Sequence, residues 1–180
     1  MSTMSMTITQ SALFGGNQGD VFNDINVAGW PATQNIRKIS KIVVRHGEIV
    51  DNIAVTYERT GGLGPDTQSH GGAGGTRVNT INLSESEFLV GVCGQCGPVV
   101  ADYGPTSIQK LQFMIVDKAR GAFRVEGPFA NEARTGGTPF CVVGTIMALA
   151  GRTMVVTSQD QGTQRFMQSL SFFTPSNGFD

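Results

Sequence analysis

Two short stretches hold the residues best suited to chemistry. In VVRHGEIVDNIAVTYE, Val43 to Glu58, a Gly-x-x-x-Asp runs from Gly47 to Asp51 between runs of β-branched and apolar residues. Further on, SHGGAGGT is a loop with almost no side chains. A carboxylate at the end of a tight turn can accept from two neighbouring hydroxyls of a polyol, and such charge-assisted bonds are among the stronger kind. The residues before it, Glu48, Ile49 and Val50, can turn backbone N–H groups toward the same oxygens. Gly71 and Gly72 would let the opposite main chain approach closely, because glycine has no Cβ. The plainer alternative is a hairpin turn with a solvated Asp51 and a flexible glycine loop. Spacing alone leaves both readings open.

Other reactive residues point less clearly. The three cysteines are Cys93, Cys96 and Cys141, the first two in a C-x-x-C within VCGQCG. A zinc site needs more ligands, and the histidines are only His46 and His70. A redox motif would open a helix, whereas EFLVGVCG reads as a strand. The cysteines are therefore read as ordinary buried or half-buried thiols, and no cofactor is expected. A glycoside hydrolase would need two facing carboxylates about 5–10 Å apart. Glu48 and Asp51 share one turn and cannot straddle a glycosidic bond, so no enzyme is expected.

The elements that position these residues follow from composition and periodicity. The chain has 180 residues, the size of a single domain, with 24 glycines, 15% charged residues and a net charge of −1. That charge supplies no basic field for nucleic acid or anionic lipid. No apolar run approaches the roughly 20 residues that span a bilayer, so membrane insertion is not expected. The N-terminus lacks a basic n-region and a solid apolar h-region, which implies a cytoplasmic or non-classically secreted protein. Alternation dominates: Ile53, Val55 and Tyr57 share a face, as do Phe88, Val90 and Val92, then Leu111, Phe113 and Ile115. AFRVEG and QSLSFF behave alike, and Gly-rich punctuators separate these runs. Ile36, Ile39 and Ile42 have helix-like spacing, but their β-branching argues for an irregular or bulged strand. The pattern is all-β, a sandwich, barrel or prism.

Three segments repeat one outline of Gly-rich turn and strand: HGEIVDNIAVTYE, YGPTSIQKLQFMI and GTQRFMQSLSFF. Each has a Gly-Gly partner, at Gly71–Gly72, Gly136–Gly137 and Gly15–Gly16. Overlaid, Asp51, Gln109 and Gln168 occupy equivalent places. The order is cyclic, so Gly15–Asp24 should share a sheet with Phe166–Phe173.

With these motifs assembled, the chain resembles the jacalin-related lectins. GGNQGDVFND, IRKISKIVVRHGEIVDNIAVTYE, HGGAGG, INLSESEFLVGVCG, IQKLQFMI and EGPFANEARTGGTPF run in family order over Gly15 to Phe173. The resemblance implies a β-prism of three four-stranded Greek-key sheets with pseudo-threefold symmetry, a lectin domain at 14–180 and an N-terminal extension at 1–13. It implies sugar binding at the prism end, with Gly47, Glu48, Ile49, Val50 and Asp51 on one side and Gly71 and Gly72 on the other. The family's principal site corresponds to Gly15, Gly16, Arg165, Phe166 and Gln168, a second candidate site. There Gln164 stands for the glycine and Gln168 for the carboxylate, and a glutamine cannot accept as a carboxylate does. The preceding GRTMVVTSQDQGT is longer than the family loop, and Asp160 in it could fold over the mouth. The third repeat, at Gln109, has no carboxylate at all. A continuous segment before Gly15 favours mannose- or glucose-type ligands over galactose. Glycans or glycoproteins are thus the expected partners, and a second copy of the chain is a candidate partner. The alternative is a non-catalytic structural or protein-interaction prism with degenerate sugar sites. Trp30 and Phe22 are read as packing near the first Gly-Gly loop rather than as stacking platforms. His46 and His70 flank the favoured site, as sugar or mutual hydrogen-bond partners or as solvated loop residues. Asp102, Asp117 and Glu126 are read as solvated turn or strand-edge charges.

Overall fold

The computed structural model describes residues 7–28, 35–100, 103–130, 136–159 and 162–176. Trp30, Asp102 and Asp160 lie outside the described residues. Among the described residues, the strands fall into three antiparallel sheets. The first pairs β4 (Ile36–His46) with β5 (Val50–Arg59), flanked by β6 (Asp66–Gly71) and β7 (Arg77–Asn82) in the order β6-β5-β4-β7. The second repeats this as β10-β9-β8-β11, with β8 (Glu87–Val100), β9 (Tyr103–Asp117), β10 (Ala122–Phe129) and β11 (Thr138–Val143). The third is built from both ends of the chain. Its hairpin is β12 (Ala148–Ser158) and β13 (Gly162–Pro175), flanked by β3 (Asp20–Asn23) on β12 and by β1 (Ile8–Gln10) and β2 (Phe14–Gly15) on β13. Gly15–Asn23 and Phe166–Phe173 therefore lie in one sheet, and the fold is a β-prism. In the segment read from sequence as an extension, β1 pairs with Phe173–Pro175.

Alternating side chains of the three hairpins meet on the axis. Ile53, Val55 and Tyr57, then Leu111, Phe113 and Ile115, then Leu170 and Phe172 are buried in one core. β4 shows how the helix-like spacing arises. Its ladder to β5 shifts between Ile36 and Lys38 and again between Ile39 and Lys41. Each bulge adds one residue to a two-residue period, so Ile36, Ile39 and Ile42 all point inward and are buried. The first bulge also carries Lys38 inside. Its Nζ donates to the carbonyls of Ser84, Glu85 and Glu87 at 2.5, 3.1 and 2.7 Å. Burial lowers its pKa, and the carbonyl cage holds the ammonium in place.

The cysteines differ from the sequence reading. Cys93 and Cys141 stand directly opposite in the β8–β11 register and are joined by a disulfide, which leaves only Cys96 free. The C-x-x-C is thus divided, because the residue that faces Cys93 sits on the neighbouring strand rather than three residues on. Asp117 also departs from the expected solvated charge. It is buried, it accepts from the N–H groups of Ala119 and Arg120, and the Ser86 hydroxyl foremost holds its carboxyl below the usual value. Glu126 lies on edge strand β10, paired with Arg124.

Replacing Lys38 by Met removes the donor while leaving three carbonyls caged. Lys38→Met should destabilise the domain by about 1–3 kcal/mol, the range expected for orphaned buried acceptors, and urea unfolding at neutral pH measures it.

Candidate functional site

One end of each hairpin is built alike. A bulge falls between Arg45 and His46, between Gln95 and Cys96, and between Arg152 and Thr153. The pair just after it is His46↔Val50, Cys96↔Ile108 or Thr153↔Met167. The next residue on the second strand is Asp51, Gln109 or Gln168, so the overlay made from sequence coincides with the register. All three side chains are buried, at 7%, 3% and 2% exposure.

Glycines close over each of them. Gly71 pairs with Asn52 and adopts φ +111°, and the Gly72 N–H donates to the Asp51 carbonyl at 2.9 Å. In the third sheet Gly15 pairs with Ser169 at φ +113°, and the Gly16 N–H donates to the Gln168 carbonyl at 3.3 Å. A Cβ on Gly16 would lie 2.8 Å from Gln168 Cδ. One on Gly97 would lie 2.8 Å from Gln109 Nε2, and one on Gly137 would strike Gln109 Oε1.

The first repeat goes furthest. Past Gly72 the loop folds back over the carboxylate, where a Cβ on Gly74 would strike Asp51 Oδ1 and one on Gly75 would lie 2.6 Å from Oδ2. A Cβ on Gly47 would lie 3.4 Å from the Gly75 Cα, so the loop also covers the turn. Arg45 Nη1 donates to the Gly75 carbonyl at 3.4 Å. Gly74 and Gly75 were missed in the sequence, although the doubled pair in HGGAGG was their signal. The turn itself is tight, with the Gly47 N–H donating to the Ile49 carbonyl at 3.1 Å. Glu48 is exposed at its tip, while the Ile49 and Val50 side chains are buried. Burial raises the Asp51 pKa, against a smaller opposing effect of the Gly47 N–H.

The two glutamine sites differ in backbone. The β4–β5 hairpin turns at the bulge, but β8–β9 continues to Val100↔Tyr103 and β12–β13 to Ser158↔Gly162. The segment from Gln164 to Gln168 is therefore ladder, not a turn. Arg165 pairs with Val155, and Phe166 is buried opposite Met154. The insertion is an arm that prolongs the hairpin. Gln168 donates from Nε2 to Met154 Sδ at 3.0 Å, and the Oε1 atoms of Gln168 and Gln109 are buried with no hydrogen-bond partner among the described residues.

Several residues expected near the sugar are occupied elsewhere. His46 is buried, accepting at Nδ1 from the Ala130 N–H and donating from Nε2 to Asn79 Oδ1 at 2.9 Å. It is neither solvated nor turned to the site, because the bulge points it into the core. His70 Nε2 donates to Asp24 Oδ1 at 2.6 Å, and the Tyr57 hydroxyl donates to Oδ2 of the same buried carboxylate. Phe22 stacks on the His70 ring at 3.6 Å, which makes it packing, as expected. Gly72 faces two ways: a Cβ there would meet the Arg165 main-chain oxygen on the β13 arm. Arg165 thus belongs beside Gly72 rather than with Gly15 and Gly16. Among the described residues no group of three or more His, Cys, Asp and Glu side chains is placed to hold a metal ion, and no helix is long and apolar enough to cross a membrane.

A family model described as the Jacalin-like lectin domain matches residues 11–158. The chain belongs to the jacalin-like lectin family. Proteins of this family bind carbohydrate and are not catalytic. A curated relative, jacalin-related lectin 19 of Arabidopsis thaliana, is 31% identical over 144 residues, covering 78% of this chain and 70% of the relative. Among solved structures, wild-type Malaysian banana lectin superposes with a TM-score of 0.67 at 25% identity, over 94% of this chain and 100% of that one. A mannose-specific jacalin-related lectin from Morus nigra, solved with mannose, gives a TM-score of 0.69 at 23% identity over 97% and 99%. In this lectin fold a substituent at Gly72 has no room. Gly72→Val should destabilise the domain by about 1–3 kcal/mol through the clash with the β13 backbone, whereas Glu48→Ala at the exposed tip should change stability by less than about 0.5 kcal/mol. Thermal unfolding of the two variants distinguishes them.

Proposed function

We propose that this chain is a lectin for mannose- or glucose-type glycans, and that one sugar residue binds between Gly47–Asp51 and the Gly71–Gly75 loop. The observation that carries the reading is the position of Asp51. It is the carboxylate among three equivalent positions whose other two hold glutamine, and it sits where the hairpin ends in a turn instead of an arm. A pyranose offers adjacent hydroxyls that must exchange water for equally good partners. A carboxylate already stripped of most of its water gains more from two hydroxyl donors than a solvated one would. The glycines let the main chain reach the ring from the other side without side chains in the way. The mannose-specific protein from Morus nigra and the artocarpin–mannotriose complex favour the same class of ligand.

A second reading is a prism that binds protein instead of sugar. It is favoured by Gln109 and Gln168, where the carboxylate is absent and arms replace turns. Glycan-array binding separates the two, since a protein-binding prism gives no signal.

Asp51→Ala removes two charge-assisted hydrogen bonds, each worth about 1.5–3 kcal/mol. Millimolar monosaccharide binding amounts to only about 4 kcal/mol, so calorimetric titration with mannose should show binding lost. Gln168→Ala should bind as wild type does. If Gln168→Ala abolishes binding and Asp51→Ala does not, the site is at the other Gly-Gly loop. The raised pKa of Asp51 adds a pH signature. Mannose affinity should fall as pH drops through that pKa, above the ordinary aspartate value of about 3.9. The same shift works the opposite way on stability. A carboxyl whose folded pKa is raised favours the native state when protonated, and that contribution is lost as pH rises through the folded pKa. Asp51→Asn should therefore be no less stable than wild type at neutral pH while failing to bind. Loss of both stability and binding in Asp51→Asn would assign Asp51 a structural role only.

A further inference from the structure

The hairpin arms create clefts that the short β4–β5 turn does not. Where β12–β13 runs past its bulge, its flank stands away from β6, and the gap is lined by Asp20, Phe22, Ser69, His70, Thr153 and Arg165, with Gly71 and Val21 completing it. Its volume is about 340 Å³, within the size of small-ligand sites. The β8–β9 arm makes the pseudo-equivalent cleft of about 460 Å³. There Thr106 stands at the Arg165 position, Cys96 at the Thr153 position and Thr138 at the Asp20 position, as their registers require. The two clefts occupy equivalent places and differ in chemistry, because only the first is lined by charged side chains.

In the first cleft the polar groups are held in place. Arg165 Nη1 bonds Asp20 Oδ2 at 2.9 Å and Thr153 Oγ1 at 3.0 Å, and the side chains are 41% and 68% exposed for Arg165 and Asp20. The His70 ring is fixed from behind by the buried Asp24 carboxylate and from the side by the stacked Phe22 ring. The cleft thus offers a carboxylate acceptor, guanidinium donors and hydroxyls around a rigid ring pair. The paired charges cancel, so it suits a neutral polyol better than an anion. It also adjoins the sugar site proposed above. Gly71 lines it, and the neighbouring Gly72 touches both the Asp51 carbonyl and the Arg165 main chain. With no Cβ at Gly72, the β12–β13 arm packs directly against the glycine loop, so the cleft and the sugar site lie side by side.

We propose that this cleft binds the second residue of a neutral oligosaccharide whose first residue sits at Asp51, so that the β12–β13 arm sets glycan-length specificity. The proposal rests on the carbohydrate reading of Asp51. The test is calorimetric titration of wild type and Asp20→Asn with mannose, with mannotriose and with a mannose-containing disaccharide that ends in a uronic acid. Wild type should bind mannotriose about tenfold more tightly than mannose, the worth of one or two added hydrogen bonds. Asp20→Asn should keep mannose affinity within about twofold, since an exposed ion pair contributes little elsewhere. It should lose most of the mannotriose advantage and gain affinity for the acidic disaccharide, because Arg165 is then unneutralised. If wild type binds mannose and mannotriose equally, or if Asp20→Asn keeps the advantage, the cleft proposal fails and the lectin reading stands. Preference of wild type for the acidic disaccharide also overturns it. Absence of mannose binding by wild type overturns both.

Discussion

The constraint on which the site depends is the approach of glycine main chain to one side chain per hairpin. At Asp51, Gln109 and Gln168 the neighbouring loop passes so close that a Cβ would overlap the side chain. This proximity follows from register. Each of these residues is the extra residue of its bulge, which brings residue 51, 109 or 168 to the loop that links two outer strands of the same sheet. A one-residue slip would send these side chains to the opposite face. The core residues beyond the bulge, such as Ile53, Leu111 and Leu170, oppose any such slip, because it would expose them. Burial along the axis, which includes the Val50 side chain of the turn itself, therefore holds the site in geometry.

What the sequence revealed follows from which features are local. Strand alternation, the repeated outline and the paired glycines are short-range patterns, so sheet content, the cyclic order and the equivalence of Asp51, Gln109 and Gln168 could all be read. The spacing of Ile36, Ile39 and Ile42 was legible as a bulged strand because β-branching contradicted a helix. The partners of individual side chains were not legible, for they depend on which strands become neighbours. Cys93 meets Cys141 across a ladder, His46 reaches Asn79 and Ala130, and Lys38 reaches three carbonyls of the segment from Ser84 to Glu87. The course of GRTMVVTSQDQGT was also hidden. An insertion beside a binding loop can fold across it or extend the hairpin, and alternation in so short a stretch does not decide. The ladder from Met154↔Phe166 to Ser158↔Gly162 shows that it extends.

The junction between the first and third sheets shows how far the candidate site is supported from below. Asp24 has no exposure to solvent, yet it accepts from Tyr57 and from His70, and Tyr57 in turn accepts from the Leu149 N–H. One carboxylate thus ties the short helix α1 (Asp24–Val27) to β5, β6 and β12. Because His70 immediately precedes Gly71, this buried network fixes the start of the glycine loop. The loop packs through its main chain alone, and its start is held from the core side.

The exchange of carboxylate for glutamine is linked to the arms by the same physics. At a turn, an acidic side chain has main-chain N–H groups beside it and an open end where donors can arrive, so its charge can be partly compensated. Once the hairpin is prolonged, that main chain is committed to a ladder and the arm adds a wall. A carboxylate there would be desolvated with few donors, a penalty that rises steeply for a charge and far less for an amide. Gln109 and Gln168 each leave one buried oxygen unpartnered among the described residues, a cost of a kind that a fold tolerates. The arm and the amide are thus consistent with each other, and so are the short turn and Asp51. Extension at a hairpin tip leaves the core register untouched. One symmetric scaffold can in this way hold a carboxylate end beside two cleft-bearing ends, each with its own chemistry.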